Sequence, residues 1–253
     1  MTRPLNSEAV AACFGRAAQS YDGQAQLQQW VADRLLAGIT PAEMWLDIGA
    51  GTGYATARLP AGTVLALDLA LPMLKQGRAL GRIRHPLCAD LHRLPLRPGR
   101  LDGICANMAL QWSQDLPATL RQLYDLLRPG GQLRFSVPVA GCFPQLAPLI
   151  HQGQLGCHQF SPSAQLAEDL AAAGFAQIRV ETLRHTLYYD TPKALLGHFK
   201  ATGANRHASG GHQGLRGRLW WEQVVASLEQ HRTDAGIPLT WQTGLFTALR
   251  SGE

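Results

Sequence analysis

The distribution of apolar positions divides the chain into a regular middle part and two less regular flanks. Between residues 41 and 138, short apolar runs of strand length alternate with segments whose apolar residues recur at helical spacing. The predicted strands are 44–48, 63–67, 83–88, 101–106 and 132–137, and the predicted helices are 54–59, 71–80 and 116–127. Strands that alternate with helices of this length predict βαβ units, and therefore a parallel sheet with helices on both faces.

The flanks carry weaker patterns. Two helices are predicted before the middle part, over 7–18 and 24–37, with a polar break between them. After Pro138 a segment rich in Gly, Pro and Gln interrupts the alternation. Beyond it we predict helices over 163–173 (with Ser163 as its cap), 193–200 and 215–229, and strands over 177–189 and 239–249. The predicted organisation is one domain over 1–253, with a helical cap at 1–40, a ligand-binding core at 41–138, and lid or substrate insertions at 139–162 and 190–236.

A glycine-rich turn follows the first predicted strand. The sequence Leu46-Asp47-Ile48-Gly49-Ala50-Gly51-Thr52-Gly53 leads from that strand into a predicted helix. Glycine permits backbone angles that a Cβ would block, and it lets a ligand approach the main chain closely. The strand–turn–helix context makes the Gly-x-Gly-x-Gly pattern a much stronger sign of a ligand site than the glycines alone.

Polar residues follow four of the predicted strands. They are Asp47, Asp68, Asp90 and Asn107. Open α/β sheets bind ligands at the carboxyl ends of their strands, so these side chains are expected around one crevice. Asp68 stands nineteen residues after Gly49, where a carboxylate can accept hydrogen bonds from both ribose hydroxyls of a nucleoside. Asp90 and Asn107 equally suit ordinary loop or helix-cap positions.

This arrangement resembles the class I S-adenosylmethionine-dependent methyltransferases. Their first motif is matched by Gly49–Gly53, the ribose-binding acid by Asp68, the adenine-side motif by Asp90-Leu91, and the turn before the fifth strand by 127–131. The resemblance implies an α/β fold, a seven-stranded, mostly parallel Rossmann-like sheet with helices on both faces and an antiparallel last strand near 239–249. It implies S-adenosyl-L-methionine as methyl donor, without a metal. The cofactor-binding positions that it implies are Asp47, Gly49, Ala50, Gly51, Gly53, Asp68, Leu69, Met73, Asp90, Leu91 and Asn107.

Further segments carry a narrower resemblance. The stretches 14–22 with 25–28, 107–112, 199–205 and 237–241 are similar to the malonyl-[acyl-carrier protein] O-methyltransferases of biotin synthesis. The chain departs from that family at Ala50, where many members carry Cys, and 139–160 matches only loosely. The resemblance implies methylation of the free carboxylate of a carrier-bound malonyl group, which masks its charge so that it can be elongated toward pimeloyl.

Four more positions are candidates for the transfer itself. Tyr21 is expected to close over the methionine end of the cofactor, and Trp112 to wall the methyl-transfer site, although packing roles suit both residues. Arg16 could pair with a carboxylate bidentately or form a surface salt bridge, and Lys200 could contact the substrate from the lid. No general base is expected, because a carboxylate is already ionised at neutral pH.

The charge distribution bears on the partner. Lys and Arg number 23 against 18 Asp and Glu, which gives a net charge of +5. Between Lys75 and Arg100 the only acidic residue is Asp90. Such a run fits an acidic acyl carrier protein, although it could also be a solvated face or attract a nucleic acid. The candidate docking residues are Arg78, Arg82, Arg84, Arg93, Arg97 and Arg100.

Other classes of protein are not favoured. The five cysteines form no CxxC pair and the histidines no HExxH motif, so neither a disulfide framework nor a metal site is expected. The chain shows no apolar run of membrane-spanning length and no secretory signal at its N-terminus, which predicts a cytoplasmic protein without a membrane partner. A methyltransferase for another small acid or a quinone-type ring remains an alternative. A nucleic-acid-modifying protein is a further one, and no nucleic-acid partner is expected because aromatic residues are not interleaved with the basic run.

Overall fold

The computed structural model describes residues 7–201 and 217–252. These residues form two compact units. One unit comprises the described residues within 5–138, 162–182 and 243–253, and the other comprises those within 139–161 and 183–242. The division of the chain into cap, core and insertions stays a prediction, as does the cytoplasmic location. Within the described ranges, no helix has both the length and the apolar character that a membrane crossing requires.

Nine α-helices and seven strands alternate along the described part of the chain. The helices are α1 (Ser7–Ala17), α2 (Tyr21–Gln24), α3 (Gln26–Leu35), α4 (Leu71–Ala79), α5 (Leu116–Leu126), α6 (Ala147–His151), α7 (Ser163–Ala172), α8 (Pro192–Ala201) and α9 (Arg218–Glu229). The strands are β1 (Ala42–Ile48), β2 (Ala61–Asp68), β3 (His85–Cys88), β4 (Leu101–Asn107), β5 (Leu127–Pro138), β6 (Phe175–Tyr189) and β7 (Ile237–Arg250). Short 3₁₀ turns lie at Thr56–Arg58, Leu110–Trp112 and Pro144–Leu146.

The strands form one seven-stranded sheet in the order β3-β2-β1-β4-β5-β7-β6. The pairs β1–β2, β2–β3, β1–β4 and β4–β5 are parallel, whereas β7 runs antiparallel to β5. The predicted fold class is therefore confirmed, including the antiparallel strand near the C-terminus. The strand order reverses between β1 and β4, and such a reversal opens a crevice at the carboxyl ends of the strands.

The residues of the central strand show why that crevice forms at β1. Trp45, Leu46 and Ile48 are all buried, as expected for a parallel strand that is covered on both faces. On the neighbouring strand β4, a Cβ at Gly103 would lie 2.5 Å from the Trp45 ring, so glycine makes room for the indole. This close packing fixes the position of β1 relative to β4, and therefore the position at which the glycine-rich turn begins.

Four local predictions were wrong. The segment 54–59 forms only a 3₁₀ turn at 56–58, because residues 51–54 continue the turn and Gly53 has a φ of +81°. The predicted break at 19–23 contains the short helix α2. The stretch 127–131 does not precede a separate strand: β5 begins at Leu127 and bulges before Gln132. Ser163 does not cap α7, since it is the first helical residue and its hydroxyl contacts Thr182.

The smaller unit, over the described residues of 139–161 and 183–242, has a core of its own. Phe143 packs edge to face against Trp241 and Phe199, with ring centroids 4.5 and 5.2 Å apart. The Phe143 N–H donates to the Thr240 carbonyl (2.7 Å), which holds the loop against β7. The end of the segment 199–205 and the start of the predicted helix 215–229 lie outside the described residues.

Candidate active site

A cavity opens at the carboxyl ends of β1, β2 and β4, with about 780 Å³ of empty space when its open mouth is included. One side is the glycine-rich turn with Asp68, and the other is built from α1 and the turn that follows β4. All of its lining residues belong to the larger unit. They are Val10, Ala11, Phe14, Tyr21, Ile48, Gly49, Gly51, Leu67, Asp68, Leu69, Ala89, Asp90, Leu91, Asn107, Met108, Ala109 and Trp112. A smaller space of about 420 Å³ shares Tyr21, Gly49, Gly51 and Asn107 with it and also reaches Asp47 and Ala50.

The glycine-rich turn needs its glycines for two different reasons. Gly49, Gly51 and Gly53 all have positive φ (+67°, +55° and +81°), a conformation that costs other residues about 1–2 kcal/mol. A Cβ at Gly49 would also lie 2.5 Å from the Cβ of Ala109, and one at Gly53 would lie 2.7 Å from Ile83. Gly49 and Gly51 therefore face the cavity, whereas Gly53 packs away from it and lines neither space.

Asp68 fixes the turn from the neighbouring strand. Its Oδ2 accepts a hydrogen bond from the Gly51 N–H (2.9 Å), and its Oδ1 accepts one from the Ala70 N–H (2.7 Å). Burial raises the pKa of Asp68, and these backbone hydrogen bonds oppose the rise. A carboxylate has about four acceptor positions, so each oxygen can accept a further hydroxyl on the cavity side. This arrangement suits the ribose of a nucleoside, as the sequence predicted for Asp68.

Asp47 lies beneath the turn rather than in the larger cavity. Its side chain is 1% exposed, and its Oδ2 accepts a hydrogen bond from the Thr56 hydroxyl (2.6 Å). Burial raises the pKa of Asp47 to about 7, and the negative charge of Asp68 adds to the effect. A positively charged ligand group in the smaller space would favour the ionised form of this carboxyl.

Asp90 and Asn107 line the cavity with side chains that are already engaged in the protein. The Oδ1 of Asp90 accepts the His92 N–H (2.9 Å) and lies 2.6 Å from His92 Nδ1. Partial burial raises the pKa of Asp90, but the contacts with His92 lower it by a larger amount. The pKa of Asp90 is therefore below its usual value. Asn107 accepts from the Ser136 hydroxyl (2.8 Å) and donates to the Gln28 carbonyl (2.9 Å). Each side chain thus orders its own loop, and each keeps some hydrogen-bonding capacity beyond these contacts.

Aromatic side chains form the wall opposite the turn. Phe14 of α1 lies edge to face against both Tyr21 and Trp112, with ring centroids 6.1 Å apart in each pair. Tyr21 faces the glycine turn, since a Cβ at Gly51 would lie 4.0 Å from its Cε1. Burial and the neighbouring carboxylates raise the pKa of Tyr21, so the phenol stays protonated at neutral pH. The structure thus brings the two predicted catalytic residues, Tyr21 and Trp112, to one wall of the cavity.

Three of the predicted site residues, Gly53, Met73 and Arg16, line neither space. Met73 is buried against Ala18 and Ala70 and lines neither space. Arg16 is exposed and lies beside Lys75 in a surface groove between α1 and α4. The backbone of Lys200 belongs to α8, but its side chain lies outside the described residues. Leu69 and Leu91 line the larger cavity and Ala50 the smaller space, as their assignment to the cofactor requires.

The sequence analysis missed a polar cluster beside the cavity. The Asp22 carboxylate accepts from the Thr52 hydroxyl and pairs with Arg82, each contact at 2.5 Å. Asp22 directly follows Tyr21, which was singled out, but its two partners are 30 and 60 residues away in the chain. The charge pattern places Arg82 among the docking cations, because nothing local in the sequence indicates this pairing. Among the described residues, no group of three metal-ligating side chains is present.

Comparisons with known proteins agree with this geometry. Residues 46–135 match the methyltransferase domain family. A malonyl-[acyl-carrier protein] O-methyltransferase from Pseudescherichia vulneris is 37% identical, and the match covers 94% of this chain and 96% of that protein. One from Serratia marcescens is 38% identical over 85% of this chain and 86% of that protein. The structure of a Bacillus halodurans protein assigned as a methyltransferase superposes with a TM-score of 0.65 at 15% identity, covering 87% and 98% of the two chains, which shows a shared fold.

Identity at this level over nearly the full length of both chains, together with a glycine turn and Asp68 at the predicted positions, places the protein among S-adenosylmethionine-dependent methyltransferases. The chain belongs to the malonyl-[acyl-carrier protein] O-methyltransferase family.

Proposed function

We propose that the protein transfers a methyl group from S-adenosyl-L-methionine to the free carboxylate of a malonyl thioester carried by an acyl carrier protein, as a step of biotin synthesis. One observation supports this acceptor in particular. The described residues that line the larger cavity include no His, Lys, Arg or Cys. Its two carboxyls, Asp68 and Asp90, already accept backbone N–H groups of the protein. Such a site suits an acceptor oxygen that is already ionised better than ring methylation, which needs a free, positioned base.

The cavity fits the methyl donor by three separate features. Asp68 is held by two backbone N–H groups and keeps acceptor capacity for the ribose. Gly51 leaves open space beside the main chain, since the atom nearest to a Cβ there would be Tyr21 Cε1 at 4.0 Å, and Gly49 lines the same cavity. Asp47 lies beneath the same turn, where a positively charged amino-acid end would offset the cost of ionising it. When bound, the donor supplies a sulfonium methyl group with its own leaving group.

Tyr21 and Trp112 are proposed to shape the transfer site. Aromatic faces attract a cation by their quadrupole, and the wall that these residues form with Phe14 excludes water from the reacting oxygen. The phenol of Tyr21 is protonated at neutral pH and can donate a hydrogen bond. Holding an ionised oxygen in line with a methyl carbon can contribute about 7–11 kcal/mol through proximity and orientation. The chain's task is therefore positioning rather than proton transfer.

Exposed cations of the larger unit are proposed to receive the acidic carrier. The surface groove between α1 and α4 is lined by Arg16 and Lys75 and by uncharged residues. Arg78 is exposed on α4, and Arg84 is exposed shortly after it. Arg82 is excluded from this set because it pairs with Asp22. In this proposal Arg16 contacts the carrier rather than the malonyl carboxylate, because it lines neither space of the active site.

The central experiment is an incubation with S-adenosyl-L-methionine and one of four acceptors, namely malonyl-carrier, malonyl-coenzyme A, free malonate or acetyl-carrier. We expect a methyl ester on malonyl-carrier by mass spectrometry. Acetyl-carrier is the matched control, because it presents the same protein and arm without a free carboxylate, and it should remain unchanged. An ester on none of the malonyl compounds, or methylation of acetyl-carrier to the same extent, would contradict the proposed acceptor.

The docking proposal has its own test. Arg16→Glu with Lys75→Glu should raise KM for malonyl-carrier about tenfold, with little change for malonyl-N-acetylcysteamine, which has the thioester without carrier or phosphate. The control pair is Arg121→Glu with Arg179→Glu, exposed cations of the same unit outside the groove. Equal effects of the two pairs would show that only net charge matters. A rise in KM for the small thioester would indicate that Arg16 contacts the malonyl carboxylate and not the carrier.

A further inference from the structure

The N-terminal segment that carries Tyr21 is attached to the glycine turn through one carboxylate. Asp22 Oδ1 accepts from the hydroxyl of Thr52, a buried residue of the turn, and Oδ2 pairs with the Arg82 guanidinium just beyond α4. The side chains of Asp22 and Arg82 are about 30% exposed. Partial burial of this kind preserves more of the pair's attraction than an exposed position would, since solvent screens it less.

The packing of the rest of the segment is apolar and less specific. Phe14 and Tyr21 pack against the buried cluster of Ala18, Ala70 and Met73. A Cβ at Gly15 would come within 3.2 Å of Pro72, so α1 approaches α4 closely. Apolar contacts of this type hold the segment against the core but do not fix its position along the cavity, because they have little directional preference. The two directional contacts of Asp22 supply that restriction.

The position of Tyr21 follows from this attachment. Its ring faces Gly51, which is adjacent to Thr52 in the turn, and it lines both the larger cavity and the smaller space. A carboxylate one residue away that is bonded to Thr52 sets the distance between the ring and the turn. Without it, the segment would keep its apolar contacts but could place the ring in several positions.

We propose that Asp22 is a positioning residue, which holds Tyr21 across the methyl-donor cavity by bonding Thr52 and Arg82. The inference rests on the proposed donor but not on the identity of the acceptor. It predicts that Asp22 governs retention of the bound nucleoside, and that it does so through Tyr21. S-adenosylhomocysteine, the product form of the donor, is a suitable probe because its binding needs no acceptor.

The test is a double-mutant cycle on S-adenosylhomocysteine affinity, measured by calorimetry. Asp22→Ala alone should weaken binding about tenfold and raise the dissociation rate by a similar factor. In a Tyr21→Ala background, the same substitution should change affinity less than twofold, because the ring that it positions is gone. A purely structural contribution of Asp22 would instead give additive effects in the cycle, and additivity would overturn the proposal.

A second set of variants approaches the contact from its other side, in case Asp22→Ala destabilises the fold. Arg82→Ala should reproduce a smaller part of the loss, about threefold, and Arg82→Lys should restore most of the affinity. Glu229→Gln is the matched control, since it neutralises a carboxylate paired with Arg232 in the smaller unit and should change nothing. Wild-type affinity in both Asp22→Ala and Arg82→Ala would refute the role of Asp22. Absence of binding by the wild-type protein would instead refute the proposed donor.

The position of the segment can also be followed without any ligand-binding measurement. Arg16 is exposed on α1, and trypsin cleaves after it only when the helix opens locally. With S-adenosylhomocysteine at saturation, cleavage there should be about tenfold faster in Asp22→Ala than in the wild-type protein or in Glu229→Gln. Equal cleavage rates in the three proteins would show that the segment is held without Asp22, and would contradict the proposal.

Discussion

The glycine turn at 49–53 and the segment at 14–22 form opposite sides of the same cavity, but different forces hold them in place. The turn is determined locally, by positive φ angles and by a carboxylate at the end of the adjacent strand. The segment is held by apolar packing and by partners that are 30 and 60 residues away. One side of the site is therefore continuous with a strand of the sheet, whereas the other depends on contacts between distant parts of the chain.

The contrast fits the two tasks of a methyltransferase. The nucleoside needs a rigid cradle, and a turn continuous with β1 provides one because the parallel sheet fixes it from both sides. Entry and release need a wall that can separate from the cradle, and a few side-chain contacts can break at much lower cost than a strand. Substitutions on the two sides should therefore differ in kind. Those in the turn should abolish binding, and those in the segment should mainly shorten the time for which the ligand stays bound.

Gly49→Ala should have the largest effect. A Cβ there combines left-handed backbone strain with a 2.5 Å approach to Ala109, so the turn must move and S-adenosylhomocysteine affinity should fall more than 100-fold. The matched control is Gly99→Ala, which has the same sign of φ (+65°) with nothing within 4 Å of the new Cβ. It should cost about 1–2 kcal/mol of stability and leave affinity unchanged. Calorimetry and urea unfolding distinguish the two, and equal affinities would show that the turn is more adaptable than its geometry implies.

The success of the sequence analysis at the turn has a physical reason. The conformations required of Gly49, Gly51 and Gly53 depend on the residue itself, and the position of Asp68 depends on strand length, so both leave a trace in local sequence. The same reasoning extends to the strand pattern, where burial on both faces gives mostly apolar runs such as 44–48, which Asp47 alone interrupts. It failed at 54–59, where the Thr56 hydroxyl bonds Asp47 and the chain makes only a 3₁₀ turn.

The other side of the cavity could not be predicted in this way. Asp22 is an ordinary polar residue in the sequence, and its role depends on where Thr52 and Arg82 lie once the sheet has formed. Arg82 and Arg16 were both assigned to the wrong surroundings, for the same reason. Arg82 was assigned to a free basic surface but is paired, whereas Arg16 was assigned to the active site but is exposed in a groove. The sequence shows where the cations stand along the chain, but their partners depend on the tertiary contacts.

A substitution at Asp68 should have the next largest effect. Asn at this position keeps one acceptor oxygen, so it cannot accept from both the Gly51 and the Ala70 N–H groups and loses capacity for the ribose. We expect S-adenosylhomocysteine affinity to fall about 30-fold in Asp68→Asn. Asp115→Asn is the control, because that carboxylate caps α5 by accepting the Ala118 N–H, and Asn caps equally well. An unchanged affinity in Asp68→Asn would remove the central contact of the proposed donor site.

Asp47 should have the smallest effect on affinity but a distinctive effect on stability. Its pKa is raised by burial from 3.8 to about 7, so the folded protein keeps this proton while the unfolded chain loses it. The free energy of unfolding of the ligand-free protein should therefore fall as pH rises between about 4 and 7, by an amount on the order of 4 kcal/mol, and this contribution should level off above pH 7. Asp47→Asn carries no such proton. Its stability relative to wild type should rise through the same window, as measured by urea unfolding at several pH values.

A ligand provides the second measurement for Asp47. S-adenosylhomocysteine has a positively charged amino group, and at saturation it should reduce the pH-dependent difference if that group faces Asp47. A difference between the two proteins that is constant with pH would mean that Asp47 is ionised throughout, and that the turn tolerates a buried charge.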